Sequence, residues 1–435
     1  MSSNLTASAI RANSHRAWMP LVAVTIQSGR RVASYRSAAF NHRQIRYPVE
    51  ETMRRFALAQ AAILLLTATI AHSQSLFDSE DYKLRVTKVV QGLYHPWGMA
   101  FLPDGRILLT ERRGTMRIVD NGKLLAAPIE GLPKVTEHGQ GGLLDVALHP
   151  KYAENGWIYW SYNASEGGLH GTELARGKLA GSREAPRMTE VQVLFKLQPK
   201  SAAGHHFGSR IVFDRQGYLF LTLGDRGDSP AKGAKQRAQQ LDDHAGKSIR
   251  LHDDGRVPAD NPFVKSPGAR PEIFTLGNRN MQGAALHPET GKVWAHEHGP
   301  QGGDEVNVLN AGVNYGWPVI TYGANYGIGT KIGEGTELAG MAQPVLYWKP
   351  SIAPSGMMFY SGRNFPKWKG NLFAGALAKQ LLVRVVLDGE KVVAQERLLV
   401  EKLGRIRDVR EGPDGNIYLL TDARDGDLIR IEPVK

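Results

Sequence analysis

Four short stretches hold residues whose types and spacing could do chemistry. In Gly204-His205-His206-Phe207-Gly208-Ser209-Arg210, two histidines stand just ahead of a strand-like run. An imidazole placed there can take a proton from an alcohol near neutral pH, because its ordinary pKa is about 6.5. The pair lacks the HExxH-type spacing of a zinc site. In Leu276-Gly277-Asn278-Arg279-Asn280-Met281-Gln282-Gly283, Arg279 offers a permanently charged fork for a carboxylate or a developing oxyanion, and Asn280 a neutral donor. The third stretch runs from Glu297 through Gly299, Pro300, Asp304 and Glu305, followed by Asn314-Tyr315-Gly316-Trp317-Pro318. Its Gly and Pro fix a loop whose carbonyls can face inward, and its carboxylates add the hard oxygens that calcium collects six to eight of. The spacing is not that of an EF-hand. In Gly404-Arg405-Ile406-Arg407-Asp408, strand alternation puts Arg405 and Arg407 on one face, which suits a polyanionic ligand. Each stretch also has a plain structural reading, such as a loop histidine bonded to backbone or an arginine tied to its neighbour. Only a shared location favours the chemical one.

The elements that must position these residues repeat. A small residue or Gly, an apolar run, a turn with Pro or Asp and Gly, and an alternating apolar strand recur six times, beginning at Gly98, Gly142, Gly208, Gly283, Gly356 and Ile406. Pro103-Asp104-Gly105, Asp214-Arg215-Gln216-Gly217 and Pro413-Asp414-Gly415 give the turns their hairpin signature. A lone hairpin cannot bury both faces, whereas blades of about four strands set around an axis cover one another and leave few open edges. The expected fold is therefore all-β, a six-bladed β-propeller over residues 82–435, with a double-sheet sandwich as the structural alternative. The four chemical stretches fall at the entrances of different repeats, as a pocket shared at one mouth of an axial channel requires.

At this level of detail the sequence resembles the soluble pyrroloquinoline quinone (PQQ) dependent aldose sugar dehydrogenases of the glucose/sorbosone dehydrogenase family. The resemblance runs from about Lys83 to the C-terminus. It rests on His95-Pro96-Trp97, Gly139-Gln140-Gly141-Gly142-Leu143-Leu144, His206-Phe207-Gly208, Gly277-Asn278-Arg279-Asn280, the loop from Glu297 to Glu305, Asn314-Tyr315-Gly316-Trp317-Pro318, Ala353-Pro354-Ser355-Gly356 and Arg405-Ile406-Arg407-Asp408. It implies a calcium-assisted PQQ enzyme that oxidises aldose sugars at the anomeric carbon to lactones. His206 would be the general base, and Arg279 would stabilise the quinone oxygen with Asn280 beside it. Gln140, Tyr326, Lys379, Arg405 and Arg407 would hold the cofactor. Gly299 and Pro300 would offer carbonyls to its calcium, and Glu305 and Tyr315 match family calcium positions, at that ion or at a second, structural one. The chain departs from the family where glucose-preferring members have Asp before the catalytic His, since it has His205, and Lys379 matches the cofactor lysine only after a one-place shift. Broad aldose specificity is expected, with an artificial or respiratory electron acceptor. The loop before Tyr347 is short, which points to a monomer or weak dimer. The rival readings are a calcium-dependent lactonase and a non-catalytic sugar-binding propeller.

Composition narrows the remaining classes. The net charge of +12 suggests nucleic acid, but nine arginines against Glu50 and Glu51 in residues 1–75 supply +7 of it, and no Lys/Arg run follows. The other +5 reads as a solvated surface, and no nucleic-acid partner is expected. The absence of cysteine excludes disulfides, thiolate metal sites and a Cys nucleophile together. Met53-Arg54-Arg55, the uncharged run from Phe56 to Ile70, and Ala71-His72-Ser73 form the pattern of a signal peptide at 53–73. That run falls short of the roughly 20 residues that span a bilayer. Export to the periplasm or medium is expected, with no stable membrane insertion after cleavage. Residues 1–52 read as a non-native or disordered extension, with Met53 as the true start.

Overall fold

The computed structural model describes residues 74–227 and 236–434. The expected extension (1–52) and signal peptide (53–73) lie outside the described residues. Within them, twenty-five strands form six antiparallel sheets, five with four strands and one with five. The innermost strands are Pro96–Phe101, Leu143–Leu148, Ile211–Phe213, Met281–Leu286, Pro354–Phe359 and Ile406–Glu411, which open blades 1 to 6 in chain order. Each packs against the innermost strands of the blades before and after it, and the sixth packs against the first. The ring closes on itself as a six-bladed propeller, and the sandwich alternative falls away.

Each of the six repeats lands on the first two strands of a blade. The turns explain the pattern. In blade 1, Gly105 takes φ +87° and its N–H donates to the Leu102 carbonyl at 3.0 Å, while the Asp104 carboxylate accepts the Arg106 N–H at 3.1 Å. Asp214 with Gly217 and Asp414 with Gly415 repeat the arrangement in blades 3 and 6, where the Asp side chain accepts N–H groups two residues on. Asp closes such a turn through its side chain, and Gly supplies the left-handed backbone without steric cost. The glycine opening the fifth repeat has a different cause. A Cβ on Gly356 would strike Asp408 and the Val409 backbone of the next blade, so the inner strands pack too closely for a side chain.

The core is divided among the six blade interfaces. Trp160 and Ile158 of blade 2 pack with Leu108 and Met116 of blade 1, whereas Tyr159 packs with Leu219 and Leu221 of blade 3. Successive residues of one strand thus serve opposite neighbours, as the two-residue period dictates. Four more clusters fill the interfaces between blades 3 and 4, 4 and 5, 5 and 6, and 6 and 1.

Closure is made by the N-terminal part of the described chain. Lys83–Leu93 pairs antiparallel with Gly426–Pro433 and becomes the fourth strand of blade 6, and Gln74–Asp78 adds a fifth. The connecting turn grips blade 5: the Arg384 guanidinium donates to Asp81 at 3.0 Å and to Glu80 at 2.9 Å, and the Trp368 indole N–H donates to Asp81 at 3.1 Å. Among the described residues no helix is long and apolar enough to cross a membrane.

Candidate active site

One device recurs at the mouth of the ring. In four blades the second strand ends at, or within three residues of, an acid, namely Glu111, Asp225, Glu297 and Asp422. In each blade that acid accepts hydrogen bonds from the loop entering the same blade's inner strand. Glu111 accepts the Tyr94 N–H at 2.8 Å, and Asp225 binds the His206 ring at 2.6 Å. Glu297 accepts from the Asn278 amide at 2.9 Å and from the Arg279 N–H. Asp422 accepts from Arg405 at 3.1 Å. Backbone pairing fixes the strand end, and the acid then fixes the loop.

His206 is held most tightly. Its Nδ1 lies 2.6 Å from Asp225 Oδ1, and its backbone N–H donates to the Gln140 side-chain oxygen at 3.0 Å. Asp225 is buried and also accepts the Trp317 indole N–H and the Gly227 N–H, both at 2.7 Å. Burial alone would raise the Asp225 pKa, but the hydrogen bond and charge of His206, with Arg279, bring it below the usual carboxylate value. Burial lowers the His206 pKa against the pull of Asp225. At neutral pH the pair is a carboxylate and a neutral imidazole with its proton on Nδ1, which leaves Nε2 free to accept a proton.

A cavity of about 230 Å³ opens beside this loop, lined by Trp97, Arg112, Gln140, Gln282, His298, Leu377, Arg405, Arg407 and Asp422 among others. Arg407 reaches Gln282 at 2.9 Å and Asp422 at 3.0 Å and is buried, whereas the Arg405 side chain is about half exposed. Three guanidiniums against the single lining carboxylate of Asp422 make this an anion site.

A second, much smaller cavity shares His298 with the first and is lined by Arg279, Glu297, Gly299, Glu305 and Tyr315. Glu297 is buried and Glu305 half-buried there; desolvation raises both pKa values, and the charge of Glu297 raises that of Glu305 further. The pair therefore calls for a cation. Among the described residues no group of three or more His, Cys, Asp or Glu is arranged to hold a metal. The ligands would be this carboxylate pair and carbonyls, which fits an oxygen-seeking ion such as calcium. Tyr315 would give its carbonyl, since its hydroxyl is engaged by the Val308 carbonyl and the Asn310 N–H. Asp304 is already committed to the Gly299, Ile352 and Ala353 N–H groups and the Ser351 hydroxyl, so its part is to hold the Gly299-Pro300 loop.

The structure thus brings Gln140, His206, Arg405 and Arg407 to one side of the mouth, and Arg279, Gly299, Glu305 and Tyr315 to the adjoining small cavity. The Arg279 guanidinium donates to the His298 and Gly299 carbonyls at 3.0 and 2.8 Å. Asn280 is buried behind the cavity, with its side-chain oxygen accepting from Gly208 and Gln282, both at 3.2 Å. Pro300 packs against Gly323. Lys379 is exposed, two residues beyond the lining Leu377, and Tyr326 is 69% exposed on a loop outside the cavity. Sequence reasoning passed over Asp225, Asp422, Arg112 and His298. The first two are the last residues of the third and sixth repeats, and that shared position was the signal available.

The sequence profile described as Glucose / Sorbosone dehydrogenase matches residues 93–430, the whole ring except part of its closing strands. The chain belongs to the glucose/sorbosone dehydrogenase family. It is 46% identical over 345 residues to the aldose sugar dehydrogenase YliI of Escherichia coli, covering 78% of this chain and 91% of that one. Among solved structures it resembles the apo-form of the soluble aldose sugar dehydrogenase of E. coli, with 45% identity, a TM-score of 0.76, and coverage of 81% of this chain and 100% of that one. It also resembles the PQQ-bound form of the aldose sugar dehydrogenase of Streptomyces coelicolor, with 27% identity, a TM-score of 0.65, and coverage of 81% and 99%. Membership in this dehydrogenase family makes the chain an oxidoreductase, and the anion cavity and the carboxylate pair lie on the fold that its PQQ-binding relative shares.

Proposed function

We propose that this protein is an exported quinoprotein that oxidises aldose sugars at the anomeric carbon to lactones, using PQQ and calcium. The observation that carries the reading is the dyad of buried Asp225 and half-buried His206 set beside a cavity lined by Arg112, Arg405 and Arg407. A base held in its accepting tautomer next to an anion site suits removal of a hydroxyl proton beside a bound polycarboxylate.

When bound, PQQ supplies an electrophilic ortho-quinone that takes up hydride, and calcium polarises its carbonyl. The protein's own residues do the rest. His206 Nε2 would accept the proton of the anomeric hydroxyl, and Asp225 would stabilise the imidazolium that forms. Arg405, Arg407 and Gln140 line the cavity and would bind the cofactor, and the family resemblance adds Asn280, Tyr326 and Lys379, which lie outside that lining. Arg279 would offer its guanidinium as a fixed positive charge toward the quinone oxygens of the bound cofactor. Gly299 and Pro300 offer carbonyls to the cofactor's calcium, and Glu305 and Tyr315, with Glu297, hold a cation next to it.

Export completes the reading. Cleavage after Ser73 would leave Gln74–Asp78 intact as the outer strand of blade 6. N-terminal sequencing of the secreted protein is expected to begin at or near Gln74, and any of residues 1–52 in the mature chain would count against it. The catalytic reading is tested by loading the purified protein with PQQ and calcium and following dye reduction with a panel of aldoses. Turnover with several aldoses is expected. Absence of both cofactor binding and turnover would overturn the assignment.

A further inference from the structure

Arg405, just ahead of the strand Ile406–Glu411, and Arg407 within it line the same cavity, where two like charges repel and two long side chains are free to splay. One carboxylate holds them together. Asp422 Oδ2 accepts from Arg405 Nη2 at 3.1 Å, from Arg405 Nε at 3.3 Å and from Arg407 Nη2 at 3.0 Å. Its other oxygen lies 2.8 Å from His95 Nδ1. The backbone places this carboxylate before any ligand arrives: the Asp422 N–H donates to the Arg405 carbonyl at 2.7 Å, and the His95 N–H donates to the Ala423 carbonyl at 2.8 Å. Asp422 is therefore tied to the segment that carries the arginines and, through His95, to the entry of blade 1.

We propose that Asp422 is a positioning residue that sets the two cavity arginines for bidentate capture of a cofactor carboxylate. It plays in blade 6 the part that Asp225 plays for His206 in blade 3. The inference rests on the PQQ reading above. Its interest lies in the sign of the effect. Asp422 is an anion lining a site for an anion, so simple charge arithmetic says that removing it improves binding. Positioning says the opposite, because guanidiniums that are free to move lose their fixed fork geometry and must be ordered on binding.

The test is PQQ titration of the full chain with calcium present, read by fluorescence quenching or calorimetry, for the wild type and Asp422→Asn. The substitution keeps the shape of the side chain and removes its charge. Binding roughly tenfold or more weaker than wild type is expected. Equal or tighter binding by a folded Asp422→Asn overturns the inference while leaving the function intact, whereas failure of the wild type to bind overturns the function and the inference with it. A double-mutant cycle with Arg405→Gln separates positioning from general damage. Acting through Arg405, the loss caused by Asp422→Asn shrinks in the Arg405→Gln background, and an undiminished loss contradicts the proposal. Should Asp422→Asn fail to fold, Asp422→Glu keeps the charge but displaces it, and intermediate affinity is expected, while wild-type affinity counts against the proposal.

Discussion

At the scale of single residues, the site depends on where one proton rests. His206→Ala is expected to keep PQQ binding and lose turnover by about 10²-fold or more, the usual worth of a general base. Unchanged single-turnover rates would remove it from that role. Asp225→Asn makes a sharper test because two effects follow with known signs. The Asn amide no longer fixes the proton on Nδ1, so the plateau rate falls. The carboxylate that raised the imidazole pKa against burial is also gone, so the pKa drops further below its ordinary value. Activity requires neutral His206, and the acid limb of kcat/KM therefore moves to lower pH. A limb that stays in place or rises would contradict the dyad. For the small cavity, calcium is expected to raise the melting temperature of the wild type, and Glu305→Gln to abolish most of that increment, because the ion relieves two like charges lining one cavity. The legibility of these residues followed their chemistry. His206 and Arg405 stand in loops, and Arg407 at the start of a strand, where their types are conspicuous. Asp225 follows Leu223-Gly224 and reads as a turn acid until the backbone carries it to the loop of His206.

At the scale of elements, the hairpin is the unit that both the sequence and the structure repeat. Inner hairpins were legible because Asp and Gly must occupy their turns and small residues must face the axis. The third and fourth strands of each blade were not. Pro186–Lys196, for example, is half exposed, bulged and without a turn signature, and it is placed by pairing with Leu169–Gly181. The axial glycines give a prediction at this level. Gly356→Ala forces Cβ against Asp408 and the Val409 backbone and is expected to cost about 1–3 kcal/mol in denaturant unfolding, as overpacking does. A neutral result would mean that the inner strands can part. Trp160→Ala empties the centre of the interface between blades 1 and 2 and should cost about 3–5 kcal/mol.

At the scale of the whole molecule, the closing strand was the least legible feature, since nothing local in Lys83–Leu93 names a partner at the opposite end of the sequence. Arg85 and Glu432, bonded across that pairing, are 347 residues apart. Deleting residues 74–93 is expected to uncover the blade 6 edge and lower the melting temperature far more than any single core substitution above. Order of synthesis gives the same seam a further meaning. Lys83–Leu93 is made early and waits for Gly426–Pro433, so the ring closes in a late step in which the entropy of joining distant segments is met. A permuted version that starts in a surface loop of blade 3 would move that late event elsewhere in the ring while leaving every blade interface as it is.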